Sequence, residues 1–146
     1  MKLSQHFSLA EATYSATAIS KGIENKPDKE QLVNLTYSAS KMEVVRRILG
    51  NKPVQITSWL RVPELNRAVG GTPTSDHQTG ASIDFKCPIF GSPRDICLKL
   101  MQHKEELGYD QLILEPTWVH ISFPIGRSRG QELTYVKGGP FKKGIV

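Results

Sequence analysis

Apolar residues recur at helical spacing in the first third of the chain and alternate with polar ones further on. Leu9, Ala12, Ala16 and Ile19 predict a first helix that runs from Ser8 to Gly22. Ser8 and Glu11 have capping-box spacing, with Phe7 before them as a hydrophobic staple. A second helix is predicted from Asp28, which caps it with Gln31 three residues on, to Gly50. Its apolar stripe is Leu32, Leu35, Ala39, Met42, Val45 and Leu49, read as a core face. After Pro53 the period shortens: Val54, Ile56 and Ser58 alternate as in a short strand, and Pro63 to Val69 makes one or two helical turns.

Residues 70–80, rich in Gly, Thr, Ser and Asp, read as loop. Ala81 to Cys87 reads as a strand with Ile83 and Phe85 on one face, Ser82 and Asp84 on the other. Ser92-Pro93 opens a helix through Ile96, Leu100 and Leu107 that Gly108 ends. Tyr109 to Glu115 and Trp118 to Phe123 are two strands around Pro116-Thr117, and Glu132 to Val136 a last short one. Residues 137–146 read as an extended tail. The mixture predicts a single α+β domain over residues 1–146, which suits a chain of this length.

Composition narrows the function classes. Apolar residues make up 38% of the chain, enough for a core, so disorder is excluded as the default. No apolar run approaches the roughly 20 residues of a membrane span, and the first twenty residues lack the apolar core of a signal peptide. Synthesis in the cytoplasm without a signal peptide is therefore expected. The net charge of +5 favours encounter with anionic surfaces. No aromatic-basic platform, helix-turn-helix or Cys/His finger accompanies it, so no specific nucleic-acid partner is expected. Cys87 and Cys97 form neither a disulfide framework nor a zinc cluster, and are expected reduced and partly buried.

Two stretches carry chemistry. In Ser75 to Phe85, a histidine on a Gly-rich loop, His77, precedes by seven residues an aspartate in an apolar strand, Asp84. Flanked by Ile83 and Phe85, Asp84 points to the other face and must be solvated, paired or bound to a cation. In Glu115 to Ser122, His120 sits mid-strand, five residues after Glu115. If Pro116-Thr117 is the hairpin loop, Glu115 lies opposite Trp118 and Ile113 opposite His120. Glu115, Trp118 and His120 then share one face. Two imidazoles and one carboxylate are the ligand set of a catalytic zinc, with His77, Asp84 and His120 as ligands and Glu115 as base. The residues alone leave a second reading open, in which His120 is a satisfied core histidine and Trp118 is hairpin packing.

These stretches resemble the S-x-H-x-x-G-x-x-x-D and W-x-H signatures of the zinc D-Ala-D-Ala carboxypeptidase family. That family includes phage L-alanyl-D-glutamate endolysins, and the match is to its short phage-associated branch. The pattern is echoed in Phe7 to Glu11, Asn34-Leu35, Ile56 to Arg61, Pro63 to Gly71, Tyr109 to Ile113 and Arg127 to Gly130. It thus covers about residues 5–136. The resemblance implies a Hedgehog/DD-peptidase-like zinc fold with a central, mainly antiparallel sheet flanked by helices. It also implies one Zn2+ on His77, Asp84 and His120, and hydrolysis of peptidoglycan stem peptides. Arg61 matches the family arginine expected near a substrate carbonyl or carboxylate; from the residues alone, an ion pair with Glu64 serves equally.

Two departures stand out. Many relatives place the catalytic acid three residues before the last histidine, where this chain has Thr117, which leaves Glu115 as the nearest acid. Ser58-Trp59-Leu60-Arg61 also lacks the usual Gly-Tyr. The expected function is a zinc-dependent peptidoglycan peptidase, an L-Ala-D-Glu endopeptidase or D-Ala-D-Ala carboxypeptidase. It would be monomeric and act at the cell wall or periplasm as an endolysin, or as a virion-associated hydrolase. The alternative is a non-catalytic wall-binding or virion structural module of the same fold.

Overall fold

The capping signals at Ser8, Asp28 and Ser92 are all used. In the computed structural model, which describes residues 1–146, each side chain accepts from the backbone N–H three residues on. The reciprocal bonds come from Glu11, Gln31 and Asp95, completing three capping boxes. The helices they open are α1 (Leu9–Thr13), α3 (Lys29–Ile48) and α5 (Pro93–Met101). Shorter helices are α2 (Ala16–Lys21), α4 (Pro63–Ala68) and α6 (Lys104–Leu107).

Two expected helices are broken in two. The first stops at Tyr14 because Ser15 adopts an extended backbone and recaps the chain, its side chain accepting from the Ala18 N–H. Ile19 consequently points to solvent, 71% exposed, instead of continuing the core stripe of Leu9 and Ala12. The other break falls at Gln102–His103, and α6 runs from there to Gly108, which closes it in a left-handed conformation.

The strands are β1 (Gln55–Ser58), β2 (Ser82–Lys86), β3 (Gln111–Leu114), β4 (Val119–Ser122), β5 (Gln131–Thr134) and β6 (Lys142–Lys143). They form one six-stranded sheet in the order β1-β2-β4-β3-β5-β6. All pairings are antiparallel except that of β3 with β5. The stretch after residue 136, read as an extended tail, turns through Gly138 and lays Lys142–Lys143 against β5. The loop expected at 70–80 contains a 3-10 turn, Asp76–Thr79.

Alternation divides the sheet into two faces. Ile83, Phe85, Leu112, Val119 and Ile121 point into a core that also takes Leu35, Met42 and Val45 of α3 and Ile96 and Leu100 of α5. Full burial of each such side chain contributes about 1.5–3 kcal/mol. The other face carries Ser82, Asp84, Gln111, Ile113 and His120, and it floors an open cleft. Helices thus cover one side of the sheet, and chemistry occupies the other. Both cysteines are free and buried, Cys97 with its thiol pushed up to about 12 by burial. No helix is long and apolar enough to cross a membrane.

Candidate metal centre and active-site cleft

Asp84 and His120 are brought together by register. They are direct partners in the β2–β4 ladder, as Ile113 and His120 are in the β3–β4 ladder. Glu115 N–H donates to the Trp118 carbonyl at 3.2 Å, closing the hairpin around Pro116-Thr117 as its loop length requires. The predicted hairpin alignment is the observed one, and Glu115, Trp118 and His120 line the same cleft.

His77 reaches this face from the 3-10 turn. Ser75 caps that turn through the His77 N–H, and Gly80 ends it at φ +86°. A Cβ at Gly80 would also lie 3.0 Å from Leu35 of α3, so both the backbone angle and the close approach require glycine. The segment after β1 then grips His77 twice. The Arg61 N–H donates to the His77 carbonyl at 2.9 Å, and the His77 Nδ1–H donates to the Trp59 carbonyl at 2.7 Å.

That second bond decides the tautomer. A carbonyl only accepts, so Nδ1 carries the proton and Nε2 presents its lone pair to the sheet. Burial favours the neutral ring and pushes the His77 pKa down, against the pull of Asp84. Nε2 therefore faces the Asp84 Oδ2 at 3.3 Å, one acceptor against another. His120 Nδ1 stands 2.9 Å from Asp84 Oδ1, and its Nε2 lies 3.4 Å from Ser82 Oγ, an outer partner that holds the ring. Burial alone would raise the Asp84 carboxyl, but the two imidazoles outweigh it and hold the group well below the usual carboxylate range.

The His77 Nε2 lone pair facing a carboxylate oxygen is what a bound cation resolves. His77, Asp84 and His120 each offer one ligand atom, all within 4.8 Å of one another. Tetrahedral zinc with ligands at roughly 2.0–2.1 Å has ligand-to-ligand edges of about 3.3 Å. The two edges that meet at Asp84, 3.3 and 2.9 Å, suit that geometry. The residues present fit a zinc ion.

The cleft beside the triad has a volume of about 660 Å3. Four buried side-chain polar atoms in the whole molecule lack a hydrogen-bond partner, and three belong to residues lining this cleft. They are Glu115 Oε1, Trp118 Nε1 and Arg61 Nε. Buried polar atoms are nearly always paired, so this concentration marks groups waiting for a ligand. Burial raises the Glu115 carboxyl, Asp84 adds to the rise, and His120 opposes it. Burial lowers the Arg61 guanidinium, against Asp84. Arg61 makes one long contact, Nη2 to Ser75 Oγ at 3.5 Å, and no ion pair with Glu64. Trp118 is part of the cleft wall rather than hairpin packing alone.

The roles of several supporting residues escaped the sequence reading. Asn25 donates to the carbonyls of Thr13 and Leu60 at 2.9 and 2.8 Å and accepts from the Val62 N–H at 3.0 Å, fixing both flanks of Arg61. Ser38, inside α3, accepts from Trp59 Nε1 and donates to the Gly80 carbonyl. Asp110, fully buried, collects Arg127 and Arg129. The partners of Asn25 and Asp110 lie 12–37 residues away, and no local pattern announces such bonds.

The family model for Peptidase M15 matches residues 5–122, four-fifths of the chain, and includes His77, Asp84, Glu115 and His120. It stops short of the Arg127 to Gly130 segment. No curated protein matches the chain significantly. The matched span takes in β1 to β4, both arms of the ligand triad and the zinc-compatible donor set of a zinc-dependent family. The chain belongs to the Peptidase M15 family.

Proposed function

We propose that the protein is a zinc peptidase that hydrolyses peptide bonds in peptidoglycan stem peptides. His77, Asp84 and His120 hold the ion, Glu115 is the general base and Arg61 steadies the substrate. One observation carries the reading: a metal-ready triad and an unpaired, buried carboxylate oxygen share one cleft.

A zinc ion held by these three residues would supply a Lewis acid and would lower the pKa of water bound to it to about 7. Glu115, raised by burial, accepts a proton from the attacking water and returns it to the leaving amine. Arg61 Nε, with no protein partner, donates to the carbonyl oxygen as negative charge develops, or to a substrate carboxylate. Trp118 Nε1 is a second free donor on the cleft wall. Burial disfavours the charged form of His77, and its Nδ1–H bond to the Trp59 carbonyl leaves Nε2 available. A phage endolysin or virion-associated hydrolase, made in the cytoplasm and acting at the wall, is the setting in which such an enzyme works. Both L-Ala-D-Glu endopeptidase and D-Ala-D-Ala carboxypeptidase activity suit the cleft.

Paired substitutions test the reading. His120→Ala is expected to lose both zinc and hydrolysis. Glu115→Gln should retain one zinc per chain and lose roughly 10²–10⁴-fold in kcat. A zinc-loaded Glu115→Gln protein with full rate removes Glu115 as base. A zinc-loaded wild type that leaves every stem peptide intact favours the non-catalytic wall-binding or virion module instead.

A further inference from the structure

We propose that Arg127 and Arg129, clamped by the buried Asp110, form a carboxylate-binding subsite on the cleft that holds a free carboxylate of the substrate. The proposal rests on the peptidase reading above, and its two arginines lie beyond residues 5–122 that the family model matches.

Asp110 has no exposed surface, yet its carboxylate is fully engaged. Oδ2 accepts from Arg127 Nε at 3.0 Å and Arg129 Nη2 at 2.7 Å, and Oδ1 from Arg129 Nε at 2.8 Å and the Arg129 N–H at 2.9 Å. The Gln131 N–H donates to the Asp110 carbonyl at 2.9 Å, so backbone and side chain together fasten this loop to the start of β3. Arg127 Nη2 also reaches Asp76, the neighbour of His77. Both guanidinium groups are therefore fixed before any ligand arrives, which removes much of the entropy cost of using a long side chain.

A loop fastening alone would not require these groups on the cleft, but both line it, and each side chain stays about half exposed. Neither Nη1 has a protein partner, so each arginine keeps free N–H donors. The two charges balance Asp110 and Asp76. Selectivity thus comes from oriented donors, while Arg61 adds a positive charge with no carboxylate bonded to it on the same cleft. Planar forks of this kind match a carboxylate. Lysine-containing stem peptides carry two such groups, a glutamyl α-carboxylate and a C-terminal one.

Three synthetic lysine-containing stem pentapeptides ending in D-Ala-D-Ala separate the sources: all carboxylates free, only the glutamyl α-carboxylate amidated, or only the C-terminal one amidated. KM and kcat are measured with the zinc-loaded full chain, and Kd by titration calorimetry. One amidation is expected to raise KM and Kd on the order of tenfold or more, with little change in kcat. Arg129→Gln should weaken the free peptide by a similar factor and erase the discrimination. Arg129→Lys, which keeps the charge and loses the fork, should fall between, with unfolding midpoints showing all variants folded. Equal KM and Kd for the three peptides, or discrimination that survives in Arg129→Gln, overturns the subsite while leaving the peptidase reading intact. Absence of turnover refutes the peptidase reading, and Kd still decides the subsite: discrimination supports it, and equal or undetectable binding overturns it.

Discussion

Asn25 shows how much of this site depends on residues that do no chemistry. Its amide pairs three backbone groups on either side of Arg61 and at the end of α1. Asn25→Ala leaves all three without that partner and is expected to cost roughly 2–3 kcal/mol in denaturant unfolding. Peptide binding should weaken as well, because Leu60 and Val62 set the path of Arg61. An unchanged midpoint in the variant would show that water replaces the amide without penalty. The ligand residues were legible in the sequence because each broke a local pattern: Asp84 interrupts an apolar strand, and His120 and Glu115 fall on one face once the hairpin loop is placed. Asn25 and Asp110 break no pattern. Their meaning lies in backbone groups and arginines that only the fold brings near; the sequence offered no sign of Asn25, and it offered Asp110 only as part of the Tyr109 to Ile113 stretch that resembles the family.

At the scale of elements, the 3-10 turn is the least forgiving piece. Its Gly80 holds φ +86° while its carbonyl accepts from Ser38 and Trp59, tying the turn to α3 and to the segment after β1. Gly80→Ala meets Leu35 and the left-handed penalty together. It is expected to destabilise the fold by about 1–2 kcal/mol and to weaken zinc binding by displacing His77. Thermal unfolding with and without zinc reads both effects, and an unaltered zinc affinity would mean that the bonds of His77 to Arg61 and Trp59 hold it without help from Gly80. Long elements were the readable ones, as α3 and the β3–β4 hairpin show. The breaks at Ser15 and His103 were not, because apolar spacing ran on across them while local capping and turn bonds ended the helix. The β6 strand was also missed: two lysines between Phe141 and Gly144 carry no strand pattern, and only pairing with β5 makes them one.

For the whole molecule, Asp110 joins regions distant in sequence: the start of β3, the loop after β4 and, through Arg127 and Asp76, the turn bearing His77. Burial opposes its ionisation, but hydrogen bonds from Arg129 and Arg127 prevail and hold the carboxyl at about 2, against an ordinary 3.8. The unfolded chain therefore binds the proton first as pH falls. The stabilisation, about 2 kcal/mol, is complete above pH 4 and is lost on descent toward pH 2. In the zinc-free protein Asp84, depressed further by His77 and His120, adds to the same slope. Asp110→Asn should flatten the acid limb of stability measured by urea unfolding between pH 5 and 2; an unchanged limb would assign it to other carboxylates.

The central claim, that the triad and Glu115 make a zinc peptidase for wall stem peptides, is tested most directly by mass spectrometry of peptidoglycan incubated with the zinc-loaded protein, beside a chelated control. New stem-peptide fragments that vanish with chelator are the expected result, and their masses identify the bond cut. Intact stem peptides from Gram-negative and Gram-positive walls, in the presence of protein shown to hold one zinc per chain, would contradict it.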